Sequence, residues 1–376
     1  MIIGVPKEIK AQEKRVGVLP SAAWQLIKRG HGVLVEKGAG VGSGYPDEEY
    51  VKAGAELVGE HSQVFERADM IVKVKEPLPE EFPFLREGQI LFTYLHLAAS
   101  KPLTEALIRS RVTAIGYETV DVNRRLPLLE PMSEIAGRMS IIVGGYFLAK
   151  HCGGNGVLLG GVPGVLSGKV IVIGGGTAGV NAARMATGLG ADVTILDVDV
   201  ERMRFLDITM HTAHTLYSSP AHVMDLLPTV DLLIGAVLVP GAKAPKLISR
   251  DMLRMMSPGS VLVDIAIDQG GCVETSRPTT HEHPTFVEEG VIHYCVANMP
   301  AAYARTATQA LTNVTARYVE LLADHGVPGA FQRDPHLLSG LNLIGGHVTL
   351  PAVAEAHGLP CTDYGKGSGI IPPLRL

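Results

Sequence analysis

The first 128 residues alternate short apolar runs with segments of helical periodicity. The runs "IIGV", "GVLVE", "DMIVKVK", "GQILFTYLHL" and "VTAIGYE" predict β-strands, and the residues between them predict helices over 21–29, from Asp47 onward and over 102–111. Such alternation is typical of a parallel sheet covered by helices. Residues 1–128 are therefore predicted to form one α/β unit.

A second region of the same kind follows a long predicted helix, which starts at Ser133 as its N-cap and ends near His151. The apolar face of this helix is predicted from the spacing of Ile135, Met139, Ile142 and Tyr146. Five strand-like runs come next: "KVIVI", "DVTILD", "VDLLIGAV", "GSVLVDIAI" and "VIHYCVA". They predict a Rossmann-type domain.

Another long helical pattern, over 305–325, leads into about 50 residues with few strand signals. Because so short and irregular a segment does not suit an independent domain, we expect it to pack on the first unit. The predicted fold class is α/β, with two doubly wound Rossmann-like domains. Residues 1–128 plus 305–376 would form a discontinuous substrate domain, and the inserted residues 129–304 would form the NAD-binding domain.

Composition narrows the class of protein. A chain of 376 residues suits two domains, and 46% hydrophobic with 19% charged residues is typical of a globular protein. The net charge is -5, and Lys and Arg are scattered along the chain. The sequence therefore has no cluster of positive charge of the kind that binds nucleic acid. Apolar runs fall short of the ~20 residues of a membrane span. We therefore expect a cytoplasmic protein that acts on small molecules, with no nucleic-acid or membrane partner.

The cysteines show no CxxC pairing and no spacing typical of a metal site. They are Cys152, Cys272, Cys295 and Cys361. The sequence therefore predicts buried free thiols, a reducing compartment and no bound metal.

A dinucleotide fingerprint stands directly after the "VIVI" strand. Gly174, Gly176 and Gly179 form G-x-G-x-x-G between a strand and a helix, the arrangement that brings pyrophosphate to backbone N–H groups. Asp197 follows 18 residues after the third glycine, at the end of "DVTILD". A carboxylate there accepts hydrogen bonds from ribose hydroxyls and repels a 2′-phosphate, so NAD is predicted, although Arg202 nearby favours NADP.

Further residues that could take part in chemistry lie near the ends of predicted strands. Strand periodicity places Lys73 and Lys75 on one face, which favours a wet edge unless that face holds an anion. His96 interrupts an apolar run near the end of a predicted strand, and spacing alone leaves it open between a core histidine and a catalytic one. Arg15, among charged neighbours, would pass as a surface residue.

Asp268 ends the run "VLVDIAID" immediately before two glycines. It could be a plain cap, and Asp264, nearer the strand centre, competes with it for any functional role.

Ordered motifs along the chain resemble those of one family, the NAD-dependent L-alanine dehydrogenases of the alanine dehydrogenase and transhydrogenase alpha-subunit superfamily. The matching segments are "RVGVLP", "VKVKEP", "TYLHLAAS", "PMSEIAGR", "GGVPGV", "GAVLVPGAKAPKL", "VDIAIDQGGC", "SRPTT" and "YCVANMPA". The resemblance implies an enzyme that reversibly deaminates L-alanine to pyruvate and ammonium with hydride transfer to NAD. It also implies a homohexamer.

The same resemblance implies roles for individual residues. Arg15 and Lys75 would bind the substrate, His96 would be the general acid/base, and Asp268 would assist at the reacting carbon. The implied NAD contacts are Ser133, Gly174, Gly176, Thr177, Ala178, Gly179, Asp197, Arg202, Ser218, Val237, Leu238, Ile265, Asp268, Arg277, Val296, Asn298 and Met299.

Other functions are compatible with the same domain plan. A nucleotide-binding transhydrogenase subunit would exchange hydride between nucleotides and would have no amino-acid pocket. A sister dehydrogenase would act on lysine or on glyoxylate, and an NAD-binding sensor would not need His96. His96 with Lys75, together with "YCVANMP", argues against the transhydrogenase subunit, whereas a sister dehydrogenase would share the same chemistry and differ only in its pocket.

Overall fold

The structure is a computed structural model that describes residues 1–237 and 244–364. In these residues the strands are β1 (Ile2–Val5), β2 (Gly32–Glu36), β3 (Glu56–Val58), β4 (Met70–Val72), β5 (Ile90–Thr93), β6 (Thr113–Gly116), β7 (Lys169–Ile173), β8 (Asp192–Asp197), β9 (Ala213–Tyr217), β10 (Leu232–Gly235), β11 (Val261–Asp264), β12 (Thr285–Glu288), β13 (Val291–Tyr294), β14 (Leu341–Ile344) and β15 (His347–Val348).

The α-helices of the same ranges are α1 (Pro20–Lys28), α2 (Asp47–Lys52), α3 (His61–Arg67), α4 (Lys101–Ser110), α5 (Glu130–Phe147), α6 (Thr177–Gly188), α7 (Val200–Thr209), α8 (Pro220–Leu226), α9 (Arg250–Leu253), α10 (Ala304–Arg333) and α11 (Pro351–His357). None of the helices within these described ranges is long and apolar enough to cross a membrane.

The chain divides into two compact units, which confirms the predicted α/β class with one domain inserted in another. Residues 1–131 with the described residues from 303 onward form unit 1, and residues 132–302 form unit 2. The boundaries expected from the sequence, after residues 128 and 304, fall beside these.

Unit 1 contains an eight-stranded sheet in the order β15-β14-β6-β5-β4-β1-β2-β3 among its described residues. The strands from β6 to β3 are parallel, whereas β14 pairs antiparallel with β6 and β15 with β14. The central strands are continuous apolar runs because helices α3 and α4 contribute buried side chains to the same core. The segment after α10 therefore extends this sheet.

Unit 2 contains a seven-stranded sheet in the order β12-β13-β11-β10-β7-β8-β9, again counted over the described residues. Read from β9, the six parallel strands follow the order 3-2-1-4-5-6 of dinucleotide-binding folds. The sequence predicted five of its strands and missed the two edge strands, β9 and β12. Both are only partly buried, so their apolar signal is weak.

Helix α5 differs from its prediction. It begins at Glu130, so Ser133 lies inside it and is not the N-cap, and it ends at Phe147. Ile142 and Tyr146 are 48% and 58% exposed, whereas Ile141 is fully buried. The buried face was missed because it includes glycine: a Cβ on Gly144 would lie 2.5 Å from Leu232 Cδ1 of β10.

The end of helix α10 and the burial of the cysteines were each predicted only in part. Helix α10 was predicted to end at residue 325, and Gly326 (φ 64°) interrupts it there, although helical residues continue to Arg333. All four cysteines are free; Cys272 and Cys295 are buried, as expected, but Cys152 is only partly buried and Cys361 is exposed.

Candidate active site

The glycine loop of unit 2 joins β7 to α6. Gly174 has φ 101°, and a Cβ on Gly179 would lie 1.8 Å from the Gly174 carbonyl oxygen, so the turn and the helix packing both need glycine. A Cβ on Gly176 would meet no atom within 4 Å. Gly176 is the N-cap of α6 and provides no side-chain cap, so the open space lies beside uncapped N–H groups. These features fit a bound pyrophosphate.

Asp197 lies at the end of β8 and faces this loop. Its Oδ2 accepts a hydrogen bond from the Gly175 N–H at 2.6 Å, and its Oδ1 accepts one from the Asp199 N–H at 2.8 Å. Arg202 donates from Nε to the Gly175 carbonyl and packs over the Phe205 ring at 5.2 Å. The carboxylate is therefore fixed beside the glycine loop with lone pairs left for a ligand hydroxyl.

Helix α5, which carries Ser133, packs on the start of α6. A Cβ on Gly137 would lie 2.1 Å from the Ala178 carbonyl oxygen, so the two helices touch through backbone. Arg138 Nε donates to Asn181 Oδ1 at 2.9 Å, which joins the helices by side chains as well. The position of the glycine loop thus depends on the absence of a side chain at Gly137.

We expect Gly137→Ala to weaken binding of NADH by about tenfold or more, because the added methyl must push α5 away from α6 at the glycine loop. Gly188→Ala is the matched control: Gly188 is also helical and has open space where the methyl would go. Fluorescence titration with NADH measures both. Equal affinity in the two variants would contradict this account.

The other predicted cofactor residues lie in several places around unit 2. The Ser218 N–H donates to the Asp197 carbonyl at 2.9 Å, and Val237 follows β10 close to Gly174. Ile265 follows β11, while Val296, Asn298 and Met299 follow β13. Arg277 instead stacks on Phe286 of β12, 4.1 Å from the ring centroid. Leu238 lies outside the described residues.

The two aspartates after β11 have different environments. Asp264 is fully buried and accepts hydrogen bonds from the Ala266 and Cys272 N–H groups and from the Ser276 hydroxyl, at 2.6–3.1 Å. Burial raises its pKa despite these bonds. Asp268 is exposed, and its Oδ1 accepts the Asn298 N–H at 3.1 Å. Asp264 therefore holds the loop together, and Asp268 is the one open to a ligand.

Arg15 was expected from its charged sequence neighbours to be a surface residue, but it is only 2% exposed in unit 1. Its Nε and Nη2 donate to the two carboxylate oxygens of Glu13 at 2.7 and 2.6 Å. Burial lowers the pKa of Arg15, but the charge and hydrogen bonds of Glu13 outweigh that effect and raise it. The guanidinium is thus charged and rigidly oriented.

The wet edge suggested for the two lysines is wrong, because both are buried. Strand β4 ends at Val72, before either of them. Lys73 Nζ lies 2.6 Å from Glu81 Oε1 and 3.3 Å from Glu8 Oε2. Glu8 Oε1 also accepts the Lys75 N–H at 3.3 Å, while the Lys75 carbonyl accepts the Thr93 hydroxyl at 2.9 Å. Anions therefore surround the Lys73 ammonium, and one of them, Glu8, also accepts the backbone N–H of Lys75.

The network of charged groups around Lys73 extends to His61, which is partly exposed. Its Nδ1 lies 2.7 Å from Glu36 and its Nε2 3.2 Å from Glu81. Burial alone would lower the pKa of His61, yet the two carboxylates raise it to about 9. Burial also raises the pKa of Glu8, although the positive charge of Lys73 acts to lower it. The segment that carries Lys75 is therefore anchored by a charge network.

His96 follows β5, the strand next to β4, and is partly buried. Its backbone is left-handed (φ 49°, ψ 39°), which costs about 1–3 kcal/mol for a residue with a side chain. The imidazole stacks on the Tyr94 ring with centroids 6.0 Å apart. Burial raises the pKa of Tyr94, and the charge of Arg15 opposes the rise.

Unit 1 thus brings Arg15, Lys75 and His96 to one region. The carboxyl ends of β4 and β5 carry the lysine and the histidine, and Gly17 packs against the Val72 carbonyl at the end of β4, with its virtual Cβ 2.6 Å away. Sequence reasoning missed the glutamates that support these groups. Only the need of buried cations for anionic partners could have signalled them, without saying which glutamates serve.

Two family models match most of the chain. Residues 4–136 match the family model "Alanine dehydrogenase/PNT, N-terminal domain", and residues 140–351 match "Alanine dehydrogenase/PNT, C-terminal domain". The alanine dehydrogenase of Methanococcus maripaludis is 55% identical over 97% of this chain and 99% of its own length. That of Bacillus subtilis is 56% identical over 94% of each chain.

Two solved structures are similar along almost the whole chain. An L-alanine dehydrogenase superposes with a TM-score of 0.90 at 51% identity and covers 95% of this chain and 99% of its own. A transhydrogenase from Sinorhizobium meliloti superposes with a TM-score of 0.79 at 26% identity, over 94% of this chain and 100% of its own.

Proposed function

Because the chain belongs to the alanine dehydrogenase/PNT family, we propose that it catalyses the reversible oxidative deamination of L-alanine to pyruvate and ammonium, with NAD as the hydride acceptor. Alanine dehydrogenase is the activity named for relatives that are 54–56% identical over 94–97% of the chain. The transhydrogenase alternative is not favoured, since its likeness is 26% identity. The enzyme is an oxidoreductase.

The grouping of Arg15, Lys75 and His96 in unit 1 carries the proposal for the substrate. The guanidinium would bind the planar carboxylate of alanine or pyruvate with parallel hydrogen bonds. The Lys75 ammonium would lie beside the carbonyl oxygen of the substrate, on which negative charge develops during the reaction. The guanidinium is held by the buried Glu13 carboxylate, and the backbone N–H of Lys75 donates to Glu8, so the guanidinium and the segment that carries the lysine are oriented before substrate binds. This preorganisation suits a small 2-oxo acid.

His96 would move the proton of the reaction. Oxidation of the amine requires a base that takes a proton and returns it near neutral pH, which imidazole does at little cost. Asp268 would assist at the reacting carbon and its water. Both roles are proposals from the resemblance and from the exposure of the two side chains.

The residues of unit 2 fit NAD. The uncapped start of α6 beside Gly176 would hold the pyrophosphate, and Asp197 would accept the ribose hydroxyls. NAD, when bound, supplies the hydride chemistry. The protein residues bind it, orient it and set its phosphate preference.

We expect Asp197→Ala to narrow the preference for NADH over NADPH by at least about tenfold. A carboxylate repels a 2′-phosphate by about 4 kcal/mol at about 4 Å and an effective dielectric constant of about 20, and alanine removes that repulsion. The ratio of kcat/KM for the two cofactors measures the change. Asp199→Ala, whose exposed side chain caps α7, is the control. Unchanged selectivity in Asp197→Ala would exclude this carboxylate as the selector.

The proposed reaction is tested by NADH absorbance at 340 nm with purified protein, pyruvate and ammonium. Oxidation that requires both pyruvate and ammonium supports the proposal. In parallel, lysine is tested with NAD, glyoxylate with NADH and ammonium, and a second nucleotide with NADH. Activity with lysine or glyoxylate alone would indicate a sister dehydrogenase, and hydride exchange between nucleotides would indicate a transhydrogenase subunit.

We also propose that the chain forms a homohexamer in the cytoplasm. Exposed apolar side chains on unit 2, including Ile142, Tyr146, Leu158 and Leu166, are consistent with burial between copies. Four free thiols are consistent with a reducing compartment. Light scattering on the purified protein would measure the mass, and a monomeric mass would contradict the hexamer.

A further inference from the structure

The peptide that carries His96 is held by a carboxylate from the neighbouring strand. Glu118 lies in the short turn Tyr117–Thr119 after β6, which pairs with β5. Its Oε1 accepts the His96 N–H at 2.7 Å. The Leu95 N–H lies 3.2 Å from each of the two carboxylate oxygens. One side chain therefore satisfies two successive backbone donors.

These two bonds coincide with the left-handed backbone of His96 (φ 49°, ψ 39°). Successive N–H groups that converge at a left-handed residue form a concave site for an anion. Without an acceptor, both donors would lose their partner, and an L-residue would regain a lower-energy conformation at negative φ. Glu118 thus compensates the strain of His96.

Glu118 occupies a confined space. A Cβ on Gly116 would lie 3.3 Å from Glu118 Oε1 and 2.9 Å from Asn342 Nδ2, so a side chain at this position would force both groups to shift. Asn342 Nδ2 in turn donates to the Thr119 hydroxyl at 2.8 Å. The turn after β6 is thereby fixed to β14, and the carboxylate is fixed with it.

We propose that Glu118 is a positioning residue that holds the His96 imidazole where it exchanges the proton of the reaction. The inference rests on the proposed function, in which His96 is the acid/base. It assigns Glu118 no contact with substrate: the carboxylate acts through the backbone of residues 95 and 96. Displacement of a catalytic group by about 1 Å can lower the rate by about a hundredfold.

Positioning by hydrogen bonds and action by negative charge predict opposite results for two conservative variants. Glu118→Gln removes the charge but keeps an amide oxygen that can accept the His96 N–H, because Oε1 alone reaches both donors. Glu118→Asp keeps the charge but is one methylene shorter, so it cannot reach the same atoms without movement of the turn. Glutamine should therefore substitute better than aspartate.

The experiment measures kcat, both KM values and amide hydrogen exchange in Glu118→Gln and Glu118→Asp. We expect kcat to fall by about tenfold or more in Glu118→Asp and by less than about threefold in Glu118→Gln. The KM for NADH should stay within about twofold in both, because Glu118 holds only unit 1 backbone. Exchange at residues 95 and 96 should accelerate in Glu118→Asp. Glu105→Gln and Glu105→Asp, at a 47% exposed glutamate of α4, are the matched controls.

Each outcome decides the proposal. Normal kcat in both Glu118 variants, or a loss in Glu118→Gln with a normal Glu118→Asp, would overturn positioning. If Glu118→Asp does not fold, Glu118→Gln still tests it, since a tenfold loss there would indicate a role of the charge. An active His96→Ala variant would instead overturn the acid/base role proposed for His96, and absence of the pyruvate- and ammonium-dependent oxidation of NADH would overturn the proposed function.

Discussion

Replacement of His96 by alanine is expected to lower kcat by about a hundredfold or more and to leave NADH binding close to normal. General acid/base catalysis contributes about 10²–10⁴-fold, and alanine can neither take nor return a proton. His96 belongs to unit 1, whereas the glycine loop and Asp197 belong to unit 2, so the cofactor residues are untouched. Stopped-flow oxidation of NADH and fluorescence titration measure the two effects.

His336→Ala is the matched control, because this histidine is also in unit 1 and is exposed. It should retain the wild-type kcat. Full turnover by His96→Ala would remove the imidazole from the mechanism. A joint loss of kcat and of NADH affinity would indicate damage to the fold and not to proton transfer.

Arg15→Met should have the largest combined effect on activity and stability. We expect the KM for pyruvate to rise by about a hundredfold, since the carboxylate loses a charged bidentate partner. We also expect the free energy of unfolding to fall by about 3–5 kcal/mol, because Glu13 is left as a buried, uncompensated charge. The side chains of Arg15 and Glu13 are only 1% and 0% exposed. Urea unfolding and steady-state kinetics measure the two losses.

The double variant Glu13→Gln Arg15→Met separates the two effects. Removal of both charges removes the desolvation penalty, so most of the stability should return while pyruvate binding stays weak. Arg67→Met, which breaks an exposed ion pair with Glu56, should change stability far less. A double variant as unstable as Arg15→Met would show that the cost lies in lost packing and not in an unpaired charge.

Much of unit 2 could be predicted from the sequence. The G-x-G-x-x-G motif, its strand and helix, and Asp197 were identified because each depends on local features: backbone freedom at glycine, a buried apolar run and a polar residue at the strand end. Edge strands such as β9 were missed because half-exposed strands lose the apolar contrast that marks them.

The buried cations of unit 1 show where sequence reasoning stops. Arg15 and Lys73 looked like surface residues because their sequence neighbours are charged or alternate with apolar residues. Lys73 pairs with Glu8 from a distant part of the sequence, whereas Arg15 pairs with Glu13, only two residues away, and both ion pairs are buried. No local pattern encodes the burial of either pair, so charge alone misled the sequence interpretation of these residues.

The sequence by itself determined the α/β class, the succession of strands and helices, the glycine loop and the residue types that could do the chemistry. Those properties follow from periodicity and from the chemistry of single side chains over a few neighbouring positions. Only the tertiary structure decided that Asp264 holds a loop while Asp268 is exposed, which face of α5 is buried, and which glutamates hold Arg15, Lys75 and His96. Burial is decided by contacts between distant segments, and these exist only once the sheets have assembled.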